Sequence, residues 1–310
     1  MLRVMGRNAE MEVVIDPRFR IPYYTYILEG LIGSGYRVTF RSLDRPLGGG
    51  MALLHKGRKV WVDTNDMAEV DRDAYGWADI MGKANCTEPD VARLDRLQPL
   101  GPVFGVRYWT LTSGYLAGAR LVLRGAPPRS TLAGIRFQGK TRLPLRSYVS
   151  NPSNVDLDFV YHRSRSWAGK HAGTNDSRER FIEALGLAGI GGETALTDER
   201  VPLQSYLERT SKSMLVFNSP AVHDCLGWKL GEYLAMGKAI VSTELNRALP
   251  EPLIHGTHIH LVRDDVSDIA EAILQIRSDA AYRAHLEREA RAWFERVLAP
   301  AAVVHRLFAP

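Results

Sequence analysis

Cysteine is almost missing from this 310-residue chain: Cys86 and Cys225 stand far apart and form no C-x-x-C pair. That excludes a disulfide framework and a cysteine-based zinc site, and a reducing compartment is the natural reading. Long apolar runs are missing too. None approaches the roughly 18–20 apolar residues that span a bilayer. The opening stretch "MLRVMGRNAEMEVVID" has no apolar core of signal-peptide length. The expectation is a cytoplasmic protein, either free or peripheral to an anionic membrane. No repeat of fixed period and no low-complexity tract is present. The net charge is +5 with a pI near 9.2, and it is not gathered in a tail. Such a balance does not demand nucleic acid; an anionic, phosphorylated ligand or an anionic membrane surface fits equally. The Trp and Tyr residues are scattered and do not make the aromatic-plus-basic surface of a single-strand binder, so no nucleic-acid partner is expected.

Apolar residues make up 45% and charged residues 24%, the balance of a globular chain with room for two modest cores. "MEVVID" (11–16) reads as a buried strand. Tyr23, Ile27, Leu28, Leu31 and Ile32 then recur at helical spacing, and "RVTF" (37–40) starts the next strand. Further strands are expected at 51–55, 59–63 and 78–82, and a helix at 109–123. Pro127-Pro128, Pro144 and "SNPSN" (150–154) break the pattern and mark a boundary. A second alternation follows, with strands at 157–162, 214–218, 239–243 and 258–262 and helices at 177–187 and 203–211. The tail from Asp265 reads as helical. The expected fold is α/β, with two Rossmann-like doubly wound parallel-sheet domains facing a cleft. They are an acceptor-binding domain over 1–150 and a donor-binding domain over 151–285, with a terminal helix over 286–310 crossing back to the first.

The most informative stretch is "HDCLGWKLGEYLAMGKAIVST" (223–243). Asp224 and Glu232 have seven residues between them, Gly227 lies three beyond the first acid, and Gly237 ends the helix before an apolar strand. By spacing alone, Lys229 and Glu232 also fit an ordinary surface pair. The ordered set resembles the donor-binding segment of GT-B-fold glycosyltransferases. In that pattern an acid, seven residues and a Glu precede a G-K/x-P-V-V strand. Asp224 stands where many members have Glu, and Ala239 replaces the common proline. "KLGEYLAMGKAIV" is also similar to the K-x-x-E-Y-L-A-x-G-K-P-V variant of bacterial cell-surface glycosyltransferases. The close match covers about 25 residues, and the chain is short for the family.

The resemblance implies a nucleotide-diphosphate sugar as donor substrate, no separate cofactor, and transfer with retention and without a metal. Glu232 would hold the nucleotide ribose and Asp224 the transferred sugar, since an ionised carboxylate accepts two bonds from a vicinal diol. The helix start at Gly227 would face the diphosphate. In "FVYHRSRSWAGK" (159–170) the family keeps an Arg and a Lys that neutralise the leaving diphosphate. Arg165 and Lys170 have that separation, with Arg163 as competitor; Lys229 joins the donor contacts. In the first domain Asp16, Arg18, Arg20, His55, Asp63 and Lys83 are acceptor-side candidates, and one of Asp16, His55 or Asp63 would be the base of an inverting enzyme. Alternatives are a non-catalytic nucleotide-sugar-binding scaffold and a sugar-nucleotide epimerase of the same fold. "DRD" (71–73) and "DLD" (156–158) have a D-x-D form that recurs by chance. His255, His258 and His260 read as structural rather than zinc ligands. "GIGG" (189–192) does not sit as a dinucleotide loop should.

Overall fold

The computed structural model describes residues 11–150 and 152–309. The chain divides into two compact units. Unit 1 takes the described residues up to Leu145 and those from Val297; unit 2 is Arg146–Arg296.

Unit 1 begins with β1 (Glu12–Ile15), α1 (Ile21–Gly33) and β2 (Arg37–Phe40), and β1 pairs in parallel with β2. β3 (Met51–His55) and β4 (Arg58–Asp63) follow as an antiparallel hairpin. Its two-residue turn places Lys56 at φ 49° and Gly57 at φ 81°, the left-handed pair that suits the strand twist. β3 is therefore antiparallel to both neighbours, and the sheet departs from the all-parallel expectation there. α2 (Arg72–Trp77), β5 (Ile80–Lys83), α3 (Glu88–Arg93) and β6 (Leu97–Pro99) complete the sheet in the order β2-β1-β3-β4-β5-β6. α4 (Leu111–Leu123) and α5 (Pro128–Thr141) pack on each other. The Pro127-Pro128 pair does not break the chain: Pro128 opens α5, where a missing N–H costs nothing.

Unit 2 repeats the alternation with β7 (Phe159–Ser164), α6 (Asp176–Leu187), β8 (Gly191–Leu196), α7 (Leu203–Lys212) and β9 (Val216–Asn218). Next come α8 (Trp228–Met236), β10 (Ile240–Ser242), β11 (His260–Leu261), α9 (Val266–Ser278) and α10 (Ala280–Trp293). β7 pairs in parallel with β8, and β9, β10 and β11 form a parallel set. β7 lies beside β9. The two are joined by Ser213, whose Oγ accepts from the Tyr161 N–H at 2.8 Å and donates to the Leu215 carbonyl at 2.6 Å. The strand order thus reverses between β7 and β9. The core is mainly apolar, with Phe181 stacked on Phe217 at 4.4 Å between centroids and Ile269, Ile273 and Leu286 from α9 and α10 closing it.

Leu286 belongs to that core, so the returning segment begins at Val297, not at residue 286. α11 (Pro300–Phe308) lies on α1, with Val303, Val304 and Leu307 buried. A Cβ on Gly30 would sit 2.2 Å from the Pro300 carbonyl oxygen, so only glycine lets the two helices meet so closely. The Tyr26 hydroxyl donates to the Leu298 carbonyl at 2.5 Å and fixes the entry to α11.

Alanine normally stabilises a helix interior over glycine by about 1 kcal/mol. Gly30→Ala is expected to do the reverse. The obstructing atom is backbone, and overpacking costs about 1–3 kcal/mol. Urea unfolding of the full chain checks the sign; a stabilised variant would show that the α1–α11 contact is looser than described.

Candidate active site

Parallel sheets bind ligands beyond the carboxyl ends of their strands, where the strand order reverses. In unit 2 that point lies between β7 and β9. The loop after β7 carries Arg165 and the 3₁₀ turn Gly169–Asn175; the loop after β9 carries Asp224 and leads into α8. The two loops touch through His171 and His223, whose rings lie 4.8 Å apart. Neither histidine belongs to a pattern that sequence reasoning could have singled out.

The β9–α8 loop is strained. His223 and Asp224 both take left-handed backbone, at φ 59° and 53°, without being glycine. Each such residue costs on the order of 1–3 kcal/mol and persists only where its surroundings enforce it. Here the Ala221 N–H donates to the Cys225 carbonyl at 3.0 Å and an Arg247 Nη2 donates to the His223 carbonyl. The exposed Asp224 lines a cavity of about 920 Å³ with Thr174, Ser177, Thr243 and Glu244. The cavity lies at the carboxyl ends of β10 and β11. Thr243 is buried, and its hydroxyl finds no partner among the described residues. α8 starts at Gly227 with no side-chain cap and no acid in its first turn. Gly227 itself has ordinary φ, and a Cβ there would make only normal contact with Ala221 at 3.7 Å. Its contribution is to leave the first-turn amides uncovered by a side chain.

Glu232 is buried on the second turn of α8 and Lys229 precedes it by one turn. They are no surface pair. Lys229 is partly exposed, but its ammonium turns inward, donating to the Arg163 carbonyl and, at 3.1 Å, to Ser164 Oγ. Burial, reinforced by the charge of Arg178, lowers its pKa to about 7 against the opposing pull of Glu232. Arg178, from the first turn of α6, is also buried, and donates to the Arg165 carbonyl at 2.9 Å. His162 is held neutral by burial and by the same two cations. Sequence reasoning missed Arg178 and His162, which carry no local motif.

The other donor-side candidates are less committed to this place. Arg163 ion-pairs with Glu199 at 3.0 Å, and Arg165 is exposed, pairs with Asp198 at 3.3 Å and lies over the Trp167 ring. The side chain of Lys170 lies outside the described residues.

In unit 1 the acceptor-side candidates separate. Burial pushes the Asp16 carboxyl up, but hydrogen bonds from Arg18 and the Leu43 N–H and the charge of Arg45 prevail and hold it at about 2. A carboxylate so clamped is a poor proton acceptor, and Arg18 is engaged with it. His55 ends the antiparallel β3, so it lies at the opposite edge of the sheet. There its Nδ1 meets the Glu12 carbonyl at 2.9 Å and its ring packs on Phe308. Asp63 ends β4 on the carboxyl edge, bonded to the fully buried Lys83 at 2.7 Å. With Arg20 it lines a cavity of about 600 Å³ walled by Tyr23 and Trp61. Of the three candidate bases, Asp63 alone faces a cavity at that edge.

The remaining motifs are structural. Asp71 caps α2, and Asp158 pairs with Arg277. His255 and His258 accept backbone N–H groups and His260 meets the Tyr282 hydroxyl at 2.8 Å. Among the described residues no cluster of three or more His, Cys, Asp or Glu side chains could hold a metal ion, and no helix is long and apolar enough to cross a membrane.

Residues 163–279 match the family "Glycosyl transferases group 1". The segment that builds this switch point is thus the part of the chain that is similar to that family. A comparison with curated proteins finds no match. Among solved structures, TarM is similar with 12% identity and a TM-score of 0.49 over 83% of this chain, which spans 51% of TarM. HepE from Anabaena, in complex with UDP and glucose, is similar at 13% and 0.39 over 74% of this chain and 77% of its own. A Listeria monocytogenes protein assigned as a UDP-N-acetylglucosamine 2-epimerase is similar at 12% and 0.45, over 97% and 95%.

The lowered pKa of Lys229 fixes the sign of a pH effect. Between about 7 and the ordinary lysine value of 10.5 the unfolded chain holds a proton that the folded chain has released, so stability rises with pH across that window. Lys238, lowered to about 8 by burial, adds the same sign higher in it. Lys229→Met is expected to flatten the part of the rise that begins near pH 7, measured by urea midpoints at a series of pH values. An unchanged profile would mean that the ammonium is hydrated.

Proposed function

We propose that the chain transfers a sugar from a nucleotide-diphosphate donor to an acceptor hydroxyl, with the donor held at the switch point of unit 2. The observation that carries this reading is the strained pair His223–Asp224. It sits at the mouth of a polar cavity and directly before the uncapped start of α8. Strain of this kind is retained at ligand sites, and the positive end of a helix without a side-chain cap suits a diphosphate. Asp224 accepts hydroxyls of the transferred sugar and Glu232 those of the ribose. Lys229 and Arg178 supply positive charge behind the leaving group from below, rather than Arg165 from the rim.

On the acceptor side Asp63 is the residue placed to receive a proton, should the reaction invert. Retention would instead leave the departing diphosphate oxygen to take it. The group 1 match favours transfer over a pure scaffold. No metal is assigned a role.

UDP and UDP-glucose are the first probes, because HepE structures hold them. Isothermal titration of the full chain is expected to show binding of a nucleotide diphosphate. Glu232→Gln, which keeps the shape and removes the charge, should weaken it about ten- to hundredfold, the worth of a charge-assisted bond. The same variant should lose transfer in a donor-turnover assay, both measurements being made below its own thermal transition, which losing the charge that offsets Lys229 is expected to lower. Wild-type affinity in that variant would remove Glu232 from the site, and binding without any turnover in the wild type would favour the scaffold.

A further inference from the structure

The chain's positive charge has an address. Between Asp95 and Asp156 there are nine lysines and arginines and no acidic residue. The net charge of the whole chain is only +5, so everywhere else acids outnumber bases. This stretch holds α4 and α5, both in unit 1.

α4 is built inside out. Its buried face is Gly114, Gly118 and Leu121, set against α5; a Cβ on Gly114 would meet Ile135 at 2.9 Å. Two of the three buried positions are thus glycine, while Leu116 and Leu123 point away. Leu116 is 62% exposed and Leu123 85%, one helical face apart from the glycines, with Tyr115 beside them and Leu132 of α5 exposed nearby. Exposed leucines scattered singly need no explanation, but a row along one helix does. Arg120 and Arg124 flank the row, and Arg129, Arg136 and Lys140 extend along α5. Among the described residues none of these five makes an ion pair. Leu123 and Arg124 also border a trough of about 940 Å³ that continues the apolar surface to Ile32 and Phe40.

We propose that this α4–α5 face docks the protein on an anionic lipid bilayer. Arginines at headgroup level meet the negative lipid charge, while the leucine row enters the acyl boundary. Each signal alone binds weakly, and the two together hold a protein at an interface. Nucleic acid would use the arginines but give the leucines nothing to bury against, so the mixed chemistry favours lipid. The inference rests on neither the donor site nor the acceptor.

The test is flotation of the full chain with vesicles of phosphatidylcholine alone, or of phosphatidylcholine and phosphatidylglycerol in equal parts. Wild type is expected to float only with the anionic vesicles, less so as salt is raised. Arg120→Gln and Arg124→Gln should each lower the partition coefficient about fivefold. The double variant Leu116→Ser, Leu123→Ser should lower it about tenfold or more, with unchanged thermal unfolding, since both side chains are exposed. The proposal is overturned if wild type stays behind with the anionic vesicles, or if the leucine variant floats like wild type. It is also overturned if duplex DNA is retained equally by wild type and the leucine variant while vesicles are not bound, which would give the face to nucleic acid.

Discussion

The site in unit 2 depends on one inward-turned ammonium. Lys229 reaches from the first turn of α8 to the end of β7, where it bonds to the Arg163 carbonyl and Ser164 Oγ. That bond spans the point at which the strand order reverses. It fixes α8 against the strand whose loop faces it, and so sets where the positive end of the helix points. The bond is made at the expense of hydration: the lysine lies near Arg178 and shares the interior with a neutral His162. A buried cation with a like-charged neighbour is costly unless something negative compensates it. Glu232 is the acid that offsets it from the same helix. The acid that sequence reasoning assigned to a ligand thus also belongs to the electrostatics of the fold.

Unit 1 shows the opposite arrangement. Its carboxylate at the end of β1, Asp16, is surrounded by Arg18, Arg45 and backbone amides and remains ionised well into acid. The clamp ties the β1–α1 turn to the segment around Leu43, and it leaves the sheet edge open only farther along, at Asp63. The two units thus use charge differently at equivalent strand ends. In unit 1 it fixes a loop, and in unit 2 it sits under an open, strained one.

Much of the fold was legible because its signals are local. The helix over Trp228–Met236 stops where it should because Gly237 takes the left-handed C-cap at φ 63°. The periodicity of α1 and the strand at 11–16 were equally clear. Other features were not. α5 was hidden by two prolines that read as a break but serve as its start. The β3–β4 hairpin turns on Lys56-Gly57, which lacks the Asn-Gly or Asp-Gly signature of its turn type. β8 opens on glycines because a Cβ on Gly192 would meet the Val160 carbonyl oxygen at 2.2 Å, a reason visible only with β7 in place. At the candidate site, the acid–seven–acid spacing picked out a segment inside the region that matches the family model. It said nothing of Arg178, His162 or His223, which come from elements far apart in sequence or from a turn without a motif. Nor could it show that Asp16 is already engaged by Arg45, 29 positions on.

The return of α11 to unit 1 has a consequence for how the molecule is made. Val303, Val304 and Leu307 fill the space beside α1, and Gly30 is shaped for nothing else. As the chain is synthesised, all of unit 2 emerges before this helix does. The core of unit 1 therefore stays incomplete until synthesis reaches residue 307, with α1 presenting an uncovered apolar groove meanwhile. The first unit to begin is the last to close, and the interval is the one in which a chaperone or an aggregation partner has access to it.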